Sequence, residues 1–351
     1  EFADFVETFG RVAIPKELPY CFFVEGGALA VENALKTAFD WKTRKNWQKG
    51  SETEGSMAIH FKQAFHGRSG YTLSLTNTSD PRKYQYFPLF DWPRIINPKL
   101  HFPITEENLQ ETIKNEQLAL VEIEQAILMN PDKVSCIIIE VIQAEGGDNH
   151  FRDEFFVELR KICDENDILL IFDEVQTGIG ITGKMWAFQN FSVIPDVISF
   201  GKKTQVCGIL ANKEKLNQVE HHVFAESSRI NSTFGGNFID MLRFQLVLEI
   251  IEKENLLENV QKQGAFLLKG LQNLQEKYPQ LISNARGKGL MCAFDLPTGE
   301  IRKDFQEKLY EENVIILICG DCSLRFRPHL NVSQEDLQFA LDKIEKIVQK
   351  Y

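Results

Sequence analysis

The sequence has no hydrophobic stretch long enough to cross a membrane and no excess of positive charge. A membrane-spanning helix needs about 20 mostly apolar residues, and no run in the 351 residues approaches that length. The formal net charge is −11, which argues against general binding to nucleic acids or anionic membranes, because both attract basic surfaces. We therefore expect neither a nucleic-acid partner nor a membrane partner.

Cysteine is sparse, and its number is odd. The seven cysteines are scattered through apolar stretches, which is typical of reduced thiols in a cytoplasmic protein. Cys319 and Cys322 form a C-x-x-C pattern, but no second ligand pair and no helix start lies beside them, as a zinc or redox site would require. The sequence therefore predicts a cytoplasmic protein without a metal site.

The middle of the chain alternates strand and helix patterns. "VSCIIIEVIQ" (134–143) and "DILLIFDEV" (167–175) are nearly continuous apolar runs, typical of strands buried on both faces. Between them, "RDEFFVELRKICDEN" (152–166) carries apolar residues at helical spacing, and "DVISFG" (196–201) is a third strand. This order predicts an α/β fold with a large, doubly wound and mostly parallel sheet, whose ligands bind at the carboxyl ends of the strands.

Beyond about residue 237 the pattern changes to long helices followed by short strands. Ser333 is a good N-cap for the last helix, and Asp336 three residues later completes a capping pattern. We predict a large cofactor-binding domain over residues 1–245 and a smaller C-terminal α+β domain over residues 246–351.

Reactive side chains follow two of the predicted strands. Asp173 and Gln176 end one strand, and Lys202 follows the next. A lysine that is partly desolvated has a lowered pKa, and its amine can form a Schiff base with an aldehyde. Read alone, the carboxylate could belong to an acidic loop, and Lys202 and Lys203 could be a solvated pair. Adjacent residues of an extended chain point to opposite sides, so only one of these lysines can face a ligand.

Two further segments resemble parts of a phosphate-cofactor site. Gly26 and Gly27 precede a predicted helix, whose free N–H groups could bind a phosphate. In "FHGRSG", Phe65 could stack on a flat ring, and Arg68 could hold a carboxylate with two hydrogen bonds. Each signal is weak alone. Together with a strand-end aspartate and a lysine, they are the parts that a pyridoxal phosphate site needs.

These motifs resemble the class III aminotransferases of pyridoxal phosphate fold type I. The resemblance covers essentially the whole chain and rests on "GGALAVENALK", "FHGRSGYTLSLTNT", "EVIQAEGGD", "FDEVQTGIGITGKMWAF", "FGKKTQVCG", "NSTFGGN" and "LRFRPHL". The sequence is most similar to members that move the ε-amino group of L-lysine to 2-oxoglutarate, giving 2-aminoadipate 6-semialdehyde and L-glutamate. A 4-aminobutyrate or ornithine donor, or an inactive truncated homologue acting as a binding subunit, are the alternatives.

The resemblance implies roles around the ring of pyridoxal 5′-phosphate. Lys202 would form the Schiff base with the cofactor and carry the proton during transfer. Asp173 would pair with the ring nitrogen, and Gln176 would bond the phenolic oxygen. Phe65, or the adjacent His66, would stack on the ring. Lys202 is our choice because it directly follows a glycine, as in relatives, although Lys203 has the spacing to "CG" that other members show after their lysine.

The resemblance also implies roles at the cofactor phosphate and between subunits. Gly26 would form the turn there, and Gly27 and Ala28 would donate N–H groups to the phosphate. Thr233 would reach the phosphate of a neighbouring subunit, so that a homodimer shares its sites across a two-fold axis. Family members carry a further segment ahead of the region matched here, and we expect that segment to be missing from this chain.

Three residues would distinguish the two substrates. Arg68 would grip the distal carboxylate of either substrate, and Arg325 would bind the α-carboxylate of 2-oxoglutarate or glutamate. Arg327 competes with Arg325 for that role. Glu145 would pair with Arg325 while lysine is bound and move aside for the dicarboxylate, since an uncovered guanidinium matches an uncharged chain poorly.

Overall fold

The computed structural model describes residues 1–351 and contains a seven-stranded and a four-stranded sheet. The helices are α1 (Phe2–Val12), α2 (Gly27–Gln48), α3 (Gly70–Leu75), α4 (Glu106–Met129), α5 (Asp153–Glu165), α6 (Lys213–Leu216), α7 (Phe238–Lys253), α8 (Leu256–Lys277), α9 (Gly299–Glu311) and α10 (Gln334–Val348). The strands are β1 (Tyr20–Val24), β2 (Met57–Phe61), β3 (Arg94–Ile95), β4 (Val134–Glu140), β5 (Leu169–Asp173), β6 (Val197–Phe200), β7 (Cys207–Ala211), β8 (Ser283–Lys288), β9 (Met291–Asp295), β10 (Leu317–Cys319) and β11 (Ser323–Arg325). No helix combines the length and the hydrophobicity needed to span a membrane.

The seven-stranded sheet has the order β1-β7-β6-β5-β4-β2-β3. Strands β2 to β6 pair in parallel, whereas β7 runs antiparallel to both β6 and β1. Because two antiparallel pairings restore the original direction, β1 points the same way as the parallel strands. The carboxyl ends of β1, β4, β5 and β6 therefore share one edge. The predicted α/β class and mostly parallel sheet are confirmed.

Strand β5 shows why its sequence is apolar at every position. Leu170 and Phe172 pack into a hydrophobic cluster with α1, α5 and α7, while Leu169 and Ile171 pack into a second cluster with α2. Successive side chains of a strand point to opposite faces, and here both faces are covered by helices. The predicted helix over 152–166 is α5, whose apolar side chains are buried against the first cluster.

The four-stranded sheet is antiparallel, with the order β10-β11-β9-β8. It shares a hydrophobic cluster with α8, α9 and α10. Ser333 caps α10 by accepting a hydrogen bond from the backbone N–H of Asp336 at 3.1 Å, as predicted. The boundary near residue 245 stays a prediction; Leu256 belongs to the cluster under the large sheet and Val260 to that of the small sheet.

An aromatic cluster fixes α1 to the large sheet. The ring of Phe9 is fully buried, and its centroid lies 5.7 Å from that of Phe200 and 5.5 Å from that of Phe244. Aromatic pairs at such separations stabilise a core beyond the area they bury. Because Phe200 is the last residue of β6, this cluster supports the strand that leads to Lys202.

Replacing Phe9 with alanine tests this support. We expect Phe9→Ala to lower the free energy of unfolding by about 3–5 kcal/mol, the usual cost of emptying a phenylalanine site in a core. Chemical unfolding at a fixed protein concentration, followed by tryptophan fluorescence, measures the loss. Phe2→Ala is the matched control on α1, because Phe2 is 54% exposed; equal effects of the two changes would contradict the expectation.

Candidate active site

The carboxyl ends of three neighbouring strands bring polar side chains together. Glu140 at the end of β4 lies opposite Asp173 at the end of β5, and Asp173 lies opposite Ser199 of β6. A cavity of about 330 Å³ opens at this edge, a size within the range of small-molecule sites. The predicted site residues that line it are Gly27, Ala28, Phe65, His66, Arg68, Glu145, Asp173, Gln176 and Lys202.

Asp173 is a buried carboxylate held by three donors. Its Oδ1 accepts hydrogen bonds from Ser199 Oγ and the Val175 backbone N–H, both at 3.0 Å, and its Oδ2 lies 2.7 Å from His66 Nδ1. A carboxylate has about four acceptor positions, so one remains for a ligand in the cavity. A buried anion with a free acceptor position fits the protonated ring nitrogen of pyridoxal phosphate.

His66 is bound to Asp173 through its ring nitrogen Nδ1. Its side chain is fully buried. Burial opposes protonation of the imidazole, but the hydrogen bond to Asp173 and the charges of Asp173 and Glu140 outweigh it and raise the His66 pKa. A ring engaged in this way is poorly placed to stack, so the contacts favour Phe65 for the predicted stacking role.

Glu140 is a site residue that the sequence reasoning missed. It is buried at the cavity wall, and its two oxygens accept the backbone N–H groups of Phe65 at 2.9 Å and Ala144 at 3.1 Å. Burial raises the pKa of the Glu140 carboxyl to about 7. Glu140 therefore positions the loop that carries Phe65. Its position as the last residue of the buried strand β4 is the sequence signal that indicates Glu140.

The two neighbouring lysines have different surroundings. Lys202 lines the cavity, whereas Lys203 is not among the lining residues and donates to the backbone carbonyl of Gln176. Both lysines lie in a 3₁₀ turn and not in extended chain, so the predicted alternation of their side chains does not apply. Desolvation lowers the pKa of Lys202 and, more strongly, that of Lys203, to about 7. Since both amines are perturbed, the pKa values do not choose between them. The position in the cavity favours Lys202.

The predicted phosphate cradle lies at the start of α2. Gly26 is the N-cap, with φ at 98° and no side-chain cap on the helix, so the first N–H groups of α2 remain free for a ligand. A Cβ atom added to Gly27 would lie 3.0 Å from Val175 Cγ1. The glycine pair therefore permits both the turn and the close approach to the loop after Asp173.

The two arginines near the C-terminal sheet differ in their partners. Arg327 makes a two-point ion pair with the buried Asp148. Arg325 contacts Gln176 Oε1 at 3.4 Å and Glu145 Oε2 at 3.5 Å. Asp148 is also 4.0 Å from Arg325 Nη1, so its closer, two-point pair is with Arg327. This difference favours Arg325 as the guanidinium for a substrate carboxylate, although neither arginine lines the cavity wall itself.

Gln176 is oriented by these arginines. Its Oε1 accepts hydrogen bonds from Arg325 Nη1 and from Arg327 Nε, the latter at 3.1 Å. The amide nitrogen of Gln176 is then the group left to donate into the cavity. A donor here fits the predicted bond to the phenolic oxygen of the cofactor.

Two predicted residues lie outside the cavity or at its exposed rim. Thr233 is exposed on the segment that precedes α7 and does not reach the cavity of its own chain. Arg68 is an exposed residue on the lining, with its Cζ 5.8 Å from the Phe65 ring centroid. The exposure of Thr233 agrees with a role towards a neighbouring subunit, which stays a prediction.

The profile of the family described as "Aminotransferase class-III" matches residues 1–348. The L-lysine-epsilon aminotransferase of Mycobacterium tuberculosis is 49% identical over 340 residues, covering 97% of this chain and 75% of the relative. The mitochondrial 4-aminobutyrate aminotransferase of Homo sapiens is 36% identical, covering 90% of this chain and 65% of the relative. The solved structure of the lysine aminotransferase from M. tuberculosis in the internal aldimine form superposes with a TM-score of 0.95 at 48% identity, covering 99% of this chain and 79% of that one.

Chemical labelling can test which of the two lysines binds the cofactor covalently. Borohydride reduction of the protein loaded with pyridoxal 5′-phosphate should fix the cofactor on the peptide that contains Lys202. Lys202→Ala should remove both this label and the visible absorption band of the covalently bound cofactor. Lys203→Met is the matched control and should keep both. Labelling at Lys203, located by mass spectrometry, would show that the choice of lysine is wrong.

The His66–Asp173 pair predicts a pH dependence of stability in cofactor-free protein. The pKa of His66 is raised above 6.5 by folding, so its stabilisation is complete below that value and is lost as pH rises through the folded-state pKa. The destabilisation caused by His66→Asn, measured by urea unfolding, should therefore shrink over the range in which the pH rises above about 6.5. His60→Asn is the control, because burial lowers the His60 pKa to about 3. A His66→Asn effect that stays constant over this range would refute the pairing.

Proposed function

This chain belongs to the class III aminotransferases, and we propose that it transfers the ε-amino group of L-lysine to 2-oxoglutarate, forming 2-aminoadipate 6-semialdehyde and L-glutamate. The cofactor is pyridoxal 5′-phosphate, as in the rest of the family. Similarity to the lysine-epsilon enzymes of three bacterial genera, at 45–49% identity, supports lysine as the donor.

The contact between Glu145 and Arg325 is the observation that best supports the two proposed substrates. Glu145 lines the cavity and its Oε2 lies 3.5 Å from Arg325 Nη2. A buried guanidinium covered by a carboxylate suits the uncharged methylene chain of lysine, and the same guanidinium, when uncovered, suits the carboxylate of 2-oxoglutarate. One cavity can thus accept two substrates that differ in charge at the same place.

Three residues of the cavity wall are proposed to bind the ring of the cofactor. When bound, the cofactor supplies an electron sink that stabilises negative charge at the reacting carbon. Asp173 holds the proton on the ring nitrogen, because its three hydrogen bonds fix the carboxylate and burial would make a lone charge costly. Gln176 donates to the phenolic oxygen, and Phe65 covers one face of the ring.

Lys202 is the base of the proposed reaction. Desolvation lowers its pKa, so a larger fraction of the amine is neutral and able to accept a proton. Its Nζ takes the proton from Cε of lysine in the first half of the reaction. In the second half it supplies the proton to the α-carbon that becomes that of glutamate.

Arg68 and the start of α2 position the substrate and the cofactor. Arg68 lies at the cavity rim, where it binds the carboxylate of the substrate that is distal to the reacting carbon. Gly27 and Ala28 offer N–H groups of the first turn of α2 to the phosphate. Both contacts orient the reacting atoms before the proton moves.

We further propose that the enzyme is a cytoplasmic homodimer. Thr233 is exposed and would contact the cofactor phosphate of the neighbouring subunit. Next to it, Phe234, Phe238 and Ile239 expose apolar side chains, which a two-fold contact would cover. All seven cysteines are free thiols, which agrees with a reducing compartment.

The 4-aminobutyrate aminotransferases support the second candidate donor. Adding L-lysine to the loaded protein should remove the visible band of the bound cofactor, and 2-oxoglutarate should restore it. Mass spectrometry should then detect the semialdehyde, which cyclises, together with glutamate. A response to 4-aminobutyrate or ornithine without a response to lysine would favour those donors. Absence of any band after cofactor addition would favour an inactive homologue.

A further inference from the structure

Glu145 is shared between two cations. Its Oε2 lies 3.5 Å from Arg325 Nη2, while its Oε1 lies 2.5 Å from the Nζ of Lys83. The side chains of Lys83 and Glu145 are 19% and 28% exposed, so solvent screens this pair less than a surface pair. The contact to Lys83 is the shorter of the two.

Lys83 reaches Glu145 from a separate loop. It ends a short 3₁₀ turn, Pro81–Lys83, in which the carboxylate of Asp80 accepts the backbone N–H of Arg82 at 3.2 Å. Its Nζ also lies 6.0 Å from the centroid of the Phe65 ring. The turn therefore places one cation beside two residues of the cavity wall, Phe65 and Glu145.

Glu145 also forms the wall between two cavities. Behind it lies a second cavity of about 180 Å³ without a hydrophobic lining residue. Asn77, Thr78 and Ser79 offer amide and hydroxyl groups there, while Asp321 adds a negative charge. The space is therefore polar enough to receive a carboxylate, provided that a cation offsets the repulsion from Asp321.

We infer that Lys83 is a positioning residue for Glu145: it keeps the carboxylate paired when Glu145 leaves Arg325, and the second cavity is the space into which the side chain moves. Releasing Arg325 to a dicarboxylate would otherwise leave a half-buried carboxylate without a partner, which is costly. Lys83 removes most of this cost because its contact exists before Arg325 is released. The inference rests on the proposed use of two substrates that differ in charge.

The expected consequence of losing Lys83 is selective. In Lys83→Met, Glu145 has only Arg325 as a cationic partner, so the arrangement that excludes dicarboxylates gains stability. Binding of glutarate, a dicarboxylate without a reacting carbonyl, to the cofactor-loaded protein should weaken about five- to tenfold, the low end of measured coupling between sites. The rate constant and apparent affinity for lysine in the first half-reaction should stay within twofold.

Calorimetric titration with glutarate measures the first quantity, and stopped-flow absorbance of the cofactor measures the second. Lys83→Arg should restore glutarate binding to within about twofold, because it keeps the cation. Arg82→Met is the matched control in the same turn, since the Arg82 side chain is 82% exposed and pairs only with Asp80. It should leave both measurements unchanged.

A double substitution separates positioning from direct binding of substrate. In a Glu145→Gln background there is no carboxylate to hold, so adding Lys83→Met should change glutarate affinity less than twofold. If Lys83→Met still weakens glutarate binding there as it does in the wild type, Lys83 binds the ligand itself and the inference is wrong. Unchanged glutarate binding in Lys83→Met alone, or equal losses for lysine and glutarate, would also overturn it. Failure of the wild-type protein to react with lysine would instead reject the proposed function, while glutarate binding would still test the contact between Lys83 and Glu145.

Discussion

The buried carboxylate of Asp173 is the constraint around which the site is built. A charge at the end of a central strand is unfavourable unless donors surround it, and three separate segments supply them: Ser199 of β6, the Val175 backbone and His66. These contacts hold the strand ends in register at the edge where the cavity opens. The position left open on Asp173 is what a protonated ring nitrogen requires.

A second group of charges lies between the cavity and the small sheet, where two arginines pair with Glu145 and Asp148. Arg325 and Arg327 are two residues apart, yet Asp148 makes its close pair with Arg327 and lies 4.0 Å from Arg325, whose other carboxylate partner is Glu145. The difference follows from burial: Asp148 is fully enclosed, whereas Glu145 is partly exposed and stands between two cavities. A buried pair and a partly exposed pair thus lie side by side, and the proposed exchange of partners belongs to the partly exposed one.

Much of the fold and part of the site could be predicted from local patterns. The apolar runs of β4 and β5 and the helical spacing of α5 correspond directly to the structure, because burial on both faces leaves a continuous hydrophobic signal. Asp173 and Lys202 could be recognised because ligands of such sheets bind at the carboxyl ends of strands. The sequence did not predict a role for three further residues, Glu140, Asp148 and Lys83. Each of them contacts segments that are distant in sequence, and such contacts leave no local pattern.

The sequence by itself therefore determined the α/β class, the family resemblance and the set of reactive side chains, because these depend on residue type, periodicity and order along the chain. It left open which of two adjacent lysines lines the cavity, how each of two nearby arginines is paired, and which residues hold Glu145. Only the tertiary structure decided how these groups are placed, by directing Lys202 into the cavity, pairing Arg327 with Asp148 and bringing Lys83 to Glu145 across 62 positions of sequence. The physical reason is that burial and charge pairing belong to the folded arrangement, and no local stretch of sequence encodes them.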